Sequence, residues 1–440
     1  MIEDKFLKLE APWQPAYIKN WRFTQIKHHY EITLGKMLQN SAQSSEDVEV
    51  PYLKAQHIQW DQVLTEELPT MWASPGEIEM LRVRKGDLLV CEGGEVGRAV
   101  IVTDELPRNC IIQNALHLVR PRQTGDLRFL RYLLLHATSH EWLDVICNKA
   151  TIAHFTVEKF SQMWIWLPPL SEQCAIANYL DHETAKINTL ISAKESLLEL
   201  LEEKRQALIT HIVTYGLNPD VPMQRLSFDF LNSVPKHWKV INLKFLGELR
   251  TGVTKGRNFG NREPILVPYL RVANVQDGYL DLSDIAQIEV LPEEISSFKL
   301  EKGDVLMNEG GDADKLGRGA VWDGSIEPCL HQNHVFALRC YNIEPDWLTT
   351  IISSNYLKAY FESRSKQSTN LASISATNVK ELPIVVPPSE ERKAIIEYLK
   401  VATSEIDRLR KVAISTIKLL RERHTALITA AVTGQIKVKA

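Results

Sequence analysis

Basic side chains set among glycines are the residues here best suited to chemistry, and the chemistry is that of gripping an anionic polymer. Residues 251–262 (TGVTKGRNFGNR) place Lys255, Arg257 and Arg262 among Gly252, Gly256 and Gly260. Flexible backbone carrying ammonium and guanidinium groups suits phosphate oxygens. Residues 309–318 (EGGDADKLGR) add Lys315 and Arg318. Two amide pairs, Gln113-Asn114 and Gln332-Asn333, can bond an adenine edge in a bidentate way. Such pairs also serve as strand-end hydrogen-bonding elements. Signatures of catalysis are missing from the sequence. There is no GxxxxGK[ST], no HExxH, no Gly-x-Ser-x-Gly elbow and no strand–GxGxxG–helix unit. Asn218-Pro219-Asp220 is not the Asn-Pro-Pro-aromatic box with which adenine methyltransferases hold an extruded base. His136 and His140 have ligand spacing on a helix, but no third ligand lies near them in sequence, so a structural role is expected. The expectation is a binding protein without catalytic residues or a metal.

The elements that must position these residues come in two copies. Shifted by 219 positions, Pro168-Pro169, Ala175-Ile176, Tyr179-Leu180, Leu200-Leu201 and Ala207-Leu208-Ile209-Thr210 fall on Pro387-Pro388, Ala394-Ile395, Tyr398-Leu399, Leu419-Leu420 and Ala426-Leu427-Ile428-Thr429. The repeat unit is therefore half of the 440 residues, and such periodicity decides the architecture before anything else. The blocks ahead of the helices repeat more loosely. Pro51-Tyr52-Leu53 matches Pro268-Tyr269-Leu270, Lys85-Gly86-Asp87 matches Lys302-Gly303-Asp304, and Glu92-Gly93-Gly94 matches Glu309-Gly310-Gly311. Gly97-Arg98 matches Gly317-Arg318 only after three inserted residues. A shared apolar frame with differing polar residues is the pattern of one scaffold reading two things.

Each copy ends in a long helix. The proline pairs cannot continue a strand ladder, Ser171 and Ser389 are candidate N-caps, and Glu172 and Glu390-Glu391 suit the first turn. Leu180, Ile187, Leu201 and Leu208 keep a seven-residue step interrupted at Lys194, with Leu190 and Leu197 expected at the alternate positions. Leu399, Ile406, Ala413, Leu420 and Leu427 do the same, with Leu409 alongside. This is a heptad seam that needs a partner helix. Residues 171–216 carry seven acids against four bases, and residues 390–435 nine bases against six acids, so the two helices are expected to pair with each other.

The bulk numbers fit a soluble, multi-domain chain: 44% hydrophobic, 24% charged, net charge −4. No apolar run reaches the ~20 residues of a membrane helix. The six cysteines form no CxxC pair, which suggests a reducing cytoplasm. A nucleic-acid binder of this charge needs local basic patches or basic partner subunits.

Taken together, these residues resemble the specificity subunit of type I restriction–modification systems. The resemblance covers essentially the whole chain. Its most specific parts are the repeated Pro-Pro-x-x-Glu (Pro168 to Glu172, Pro387 to Glu391), the Ala-Leu-Ile-Thr helix ends, Val234-Pro235-Lys236-His237-Trp238, and Glu309-Gly310-Gly311. It implies an α+β fold: two mixed α/β target recognition domains with pseudo-two-fold symmetry, separated by two long antiparallel helices. The expected boundaries are 1–168 and 218–388 for the recognition domains with their lead-ins, and 169–217 and 389–440 for the helices. The resemblance further implies double-stranded DNA, two methyltransferase subunits and motor-nuclease restriction subunits as partners. S-adenosylmethionine, ATP and Mg are expected on those partners and no cofactor in this chain. Lys54, Arg98, Lys149, Lys255, Arg257, Arg271, Lys315 and Arg318 are the candidates for positioning DNA. Gln56, Gln113, Asn114, His154, Asn274, Gln332, Asn333 and Asn370 are the candidate base readers. Helix surfaces near Tyr179, Arg205, Tyr398 and Arg423 are expected to meet the methyltransferase. The competing readings are the recognition module of a fused methyltransferase–nuclease, and a scaffold or decoy that binds partners but no DNA.

Overall fold

Leu88–Cys91 and Val305–Asn308 are uninterrupted runs of residues buried on both faces, and each becomes a central strand. The computed structural model describes residues 20–147, 154–228, 230–311, 316–367 and 372–438. In the first module the central strand lies in an antiparallel sheet ordered Tyr30–Leu34, Leu116–Pro121, Leu88–Cys91, Ala99–Ile101. The second module repeats it as Gly247–Thr251, Val335–Cys340, Val305–Asn308, Gly319–Val321. Beside it stands a three-stranded sheet: Thr70–Ala73, Val48–Leu53 and Ile111–Ile112 in one module, Ala286–Val290, Ile265–Leu270 and Leu330–His331 in the other. The last pairing is parallel in both, with Leu53 opposite Ile112 and Leu270 opposite His331. The repeat inferred from loosely matched residues is thus a repeat of topology. The second module also carries a hairpin, Met223–Phe228 with Leu231–Pro235.

The Lys-Gly-Asp repeat has a structural reason. Arg120 grips Asp87 with Nε at 2.9 Å and Nη2 at 2.8 Å, and Arg339 grips Asp304 at 3.0 and 2.9 Å. The same aspartates accept from the main-chain N–H of Arg84 and Glu301, which closes the turn ahead of each central strand. Asp87 and Asp304 are buried, so both need this bidentate partner.

The long helices run Leu170–Tyr215 and Ser389–Val432. The first begins one residue ahead of Ser171, and the carbonyl of Pro169 accepts from the N–H of Glu172 and Gln173. Ser389 does not act as the expected cap either, because its hydroxyl donates to Glu344 at 3.1 Å. Each helix is bolted to its module by two side chains. Trp21 donates to Glu172 at 3.1 Å, and Trp238 to Glu391 at 3.0 Å. Buried Gln173 donates to the carbonyl of Pro168 at 2.8 Å, and Arg392 to that of Pro387 at 2.6 Å.

The chain divides into two compact units that cut across the long helices: residues 1–194 with 415–440, and residues 195–414. In the first unit Ile176 and Leu180 share a core with Ile428, Ala431 and Val432. In the second, Ile209, Ile212 and Val213 share one with Ile395 and Leu399, and Arg410 meets Glu202 at 3.1 Å. Within each unit the helix segments therefore run antiparallel. Leu180, Ile187, Leu201, Leu399 and Ile406 are buried, and Leu208, Leu420 and Leu427 half-buried. The alternate positions differ from expectation. Leu190, Leu197 and Leu409 are exposed, Leu190 by 50%. The seam advances by four residues there, through Thr184, Ile191, Leu198 and Arg205 in the first helix and Arg410, Ile417 and His424 in the second, all buried or half-buried. A half-buried arginine is favoured by a counter-charge, and Asp407 lies 3.4 Å from Arg205 Nε. Leu180→Ala is expected to cost about 2–5 kcal/mol, and Leu190→Ala no more than about 0.5 kcal/mol, in chemical denaturation of the full chain.

Candidate nucleic-acid interface

In each module the ends of the two sheets bring the turn after one strand against the Gln-Asn pair. Strand Val48–Leu53 ends at Lys54, and the Leu53 carbonyl accepts from the N–H of Gln113 at 2.9 Å. The N–H of Asn114 donates to the Lys36 carbonyl at 2.9 Å. In the second module Gln332 donates to Leu270 at 2.9 Å and Asn333 to Val253 at 3.0 Å. Close approach here requires glycine: a Cβ on Gly35 would lie 2.2 Å from the Gln113 carbonyl oxygen, and one on Gly252 2.0 Å from that of His331. The backbone closes a strand end, while the side chains of Gln113, Asn114 and Gln332 are half-buried and make no hydrogen bond among the described residues. Asn333 Nδ2 lies 3.5 Å from His334 Nε2.

The loop Glu-Gly-Gly joins the same edge. Glu92 donates its N–H to the carbonyl of Ala115, next to Asn114, and accepts at its own carbonyl from Phe155, next to the exposed His154. Glu309 donates to His334 and accepts from Ile374. Lys54, Gln113, Asn114 and His154 thus share one edge of the first module, and Arg271, Gln332 and Asn333 the matching edge of the second. Lys54 and the exposed Lys255, two residues beyond Val253, form no ion pair among the described residues.

Other candidates are differently placed. Asn274 is buried, and its amide is spent. Its Oδ1 accepts from the N–H of Arg271 at 2.8 Å, and its Nδ2 donates to the carbonyls of Asp281 and Asp284, both at 2.9 Å. It caps a turn and has no hydrogen-bonding group left for a base. His57 fills that place in the first module, with Gln56 exposed beside it. Arg257 is held by both oxygens of Glu294 at 2.8 and 3.1 Å and lies over the Phe259 ring, and Arg271 is paired with Asp284 at 2.7 Å. The Arg257 guanidinium holds the Glu294 carboxyl below its ordinary range. Arg98 reaches under the Lys54–His57 turn to the Ala55 carbonyl at 3.0 Å and pairs with Glu95. Arg318 lines a cleft of about 810 Å³ in the second unit, with Asp277, Tyr279, Arg205 and Arg410. Lys149, Lys315 and Asn370 lie outside the described residues. His136 is buried, with Nδ1 3.0 Å from the Thr429 hydroxyl and its pKa pushed down to about 4 by desolvation. Among the described residues no three His, Cys, Asp or Glu converge on a metal-sized site.

The profile of the type I restriction modification DNA specificity domain matches twice, over residues 18–200 and 235–418. The chain belongs to that family. The specificity subunit of the type I restriction enzyme EcoKI of Escherichia coli (strain K12) is 22% identical over 344 residues, 75% of this chain and 70% of that protein. A protein of Methanocaldococcus jannaschii assigned as the MjaX specificity subunit is 30% identical over 173 residues, 38% of this chain and 40% of that protein. Among solved structures, a chain from a type I R-M system studied for complex assembly and conformational transition superposes with a TM-score of 0.69 at 15% identity, covering 96% of this chain and all of that one. The HsdS subunit from Thermoanaerobacter tengcongensis gives 0.51 at 17% identity over the same share of this chain. These likenesses support the α+β fold with two repeated modules and long helices. No described helix is long and apolar enough to cross a membrane.

Asn274→Ala is expected to lower the stability of the second unit by about 1–3 kcal/mol in urea, through unsatisfied backbone groups, and to leave the specificity unchanged. His331, beside Gln332, gives a pH dependence. Its ring donates to the Val335 carbonyl at 2.6 Å, yet burial pushes its pKa from 6.5 down to about 4. The unfolded chain takes up a proton near 6.5 that the folded module refuses until about 4. Stability therefore falls as pH drops through that window, by up to about 3 kcal/mol, and urea titrations at pH 7 and 5 check the sign.

Proposed function

We propose that this chain is the non-catalytic DNA-recognition subunit of a type I restriction–modification complex. Each module reads one half of a split, asymmetric site. The long helices fix the spacer and dock two methyltransferase subunits, and restriction subunits join to form the nuclease. S-adenosylmethionine, ATP and Mg belong to those partners, and the complex acts in the cytoplasm on double-stranded DNA. The observation that carries this reading is the pair of modules of one topology whose matching edges share the Gln-Asn turn but differ around it: Lys54, Gln56 and His154 against Arg271, Ala273 and His334. Identical edges would suit a palindrome, whereas differing edges suit two unlike half-sites.

The docking surface is supported by exposed leucines at repeated positions. Leu200 and Leu419 correspond under the 219-residue shift, and each is 61% exposed. Arg205, by contrast, is turned toward Asp407 on the seam. Leu200→Glu and Leu419→Glu are expected to weaken co-purification with the methyltransferase while leaving the thermal unfolding of the free chain unchanged.

The deciding experiment is a methylome. The chain is expressed with its neighbouring methyltransferase in a host lacking DNA methylation, and modified adenines are mapped by long-read sequencing. A split, asymmetric motif methylated on both strands is the expected result. An assembled complex that adds no motif would overturn the reading in favour of a scaffold.

A further inference from the structure

Each module holds a glutamate without an assigned role at the centre of its polar edge. Glu92 and Glu309 occupy matching positions, and their backbones are fixed in the same way. The N–H donates to Ala115 at 2.9 Å or His334 at 3.0 Å, and the carbonyl accepts from Phe155 or Ile374, both at 2.9 Å. Three segments therefore meet at the glutamate: the Gly-Gly loop, the Gln-Asn turn, and the returning stretch at 154–155 or 373–374. Both carboxylates are half-buried.

Each glutamate also has an exposed histidine near it, and the two histidines come from different places. His334 follows the Gln-Asn turn, and its Nδ1 lies 2.9 Å from Glu309 Oε2. The matching residue of the first module is Ala115, which has no ring to offer. There His154 takes over from the returning stretch. Its Nδ1 lies 4.0 Å from where a Cβ on Gly93, the neighbour of Glu92, would sit; burial raises the Glu92 carboxyl pKa, and His154 opposes that rise. A histidine thus comes near each glutamate, from a different segment in each module.

A purely structural role explains this poorly. The main chain already joins the three segments, and an exposed ion pair is worth little to folding. What the arrangement does is orient an acceptor. In the second module Asn333 Nδ2, His334 and Glu309 form a chain, with the amide against Nε2 and Nδ1 against the carboxylate. These partners assign the imidazole proton to Nδ1. A carboxylate accepts at about four lone-pair positions, and the histidine takes one. The remaining positions of the carboxylate can only accept. In the major groove the donors that bases offer are exocyclic amines, N4 of cytosine and N6 of adenine.

We propose that Glu92 and Glu309 each accept a hydrogen bond from the exocyclic amino group of one base in their module's half-site, with His154 and His334 as positioning residues. This rests on the DNA-reading function argued above.

The test is the methylome of the assembled complex carrying Glu309→Gln, Glu92→Gln or His334→Ala. Glutamine keeps the shape and an acceptor but adds an N–H₂ donor, so it also tolerates a keto base. The expected result for Glu309→Gln is a loss of roughly 10- to 100-fold in discrimination at one position of one half-site, admitting guanine or thymine where an amino base was required. Glu92→Gln does the same in the other half-site alone. His334→Ala loosens the position affected by Glu309→Gln and no other. The base that the wild-type motif requires at that position tells cytosine from adenine. A wild-type motif left unchanged by both glutamine variants would overturn the proposal. So would a uniform drop in methylation at every position, which marks a structural role. If one variant fails to assemble, the other module's variant decides. A wild-type complex that directs no motif defeats the DNA-reading function itself, a result separable from either of these.

Discussion

The start of each long helix is the constraint on which the rest depends. A helix of about 46 residues extends ~69 Å, so a small error at its first turn becomes a large displacement at its far end. The protein fixes that turn twice over. An indole N–H meets a first-turn glutamate, Trp21 with Glu172 and Trp238 with Glu391. A side chain one residue on takes the carbonyl of the preceding proline pair, Gln173 at Pro168 and Arg392 at Pro387. Both glutamates lie where the helix dipole favours a negative charge, and both indoles are buried, so each partner needs the other. The Pro-Pro-x-x-Glu repeat is thus a mounting bracket, with the prolines ending the strand and the glutamate setting the angle of departure.

The seam adds a second constraint, and it is partly polar. An all-leucine stripe would let either helix pair with a copy of itself. Here Arg205 and Arg410 stand among the apolar positions and are answered by Asp407 and Glu202 on the opposite helix. Half-buried charges of this kind contribute little net stability, but they penalise any pairing that leaves them unanswered.

Much of this was legible in the sequence, because the repeat doubles every signal. Two long helices, two modules and the Gln-Asn turns all follow from residues that recur at one spacing. The failures have physical causes. Leu190 and Leu197 looked like seam residues because leucine at a spacing of three is as good a pattern as polar residues at four. Only the true partner shows that Arg205 and not a leucine faces inward. Asn274 looked like a reader because asparagine can read adenine, and nothing local reveals that three main-chain groups have already claimed its amide. Gln173 and Arg392 do one job with unlike side chains, so the repeat comparison passes over them. His154 and His334 escape it for a related reason, since they reach equivalent glutamates from non-equivalent segments.

The division of the long helices between the two units sets an order of assembly. Residues 195–414 are contiguous, so the second unit can close as soon as they have been synthesised. The first unit is interrupted: Ile176 and Leu180 must wait for Ile428, Ala431 and Val432, more than two hundred residues later. On the ribosome the amino-terminal module therefore emerges first and is completed last. Until the final stretch arrives it carries an uncovered apolar stripe, and nascent chains with such stripes are the ones that chaperones hold and that truncation leaves prone to aggregation.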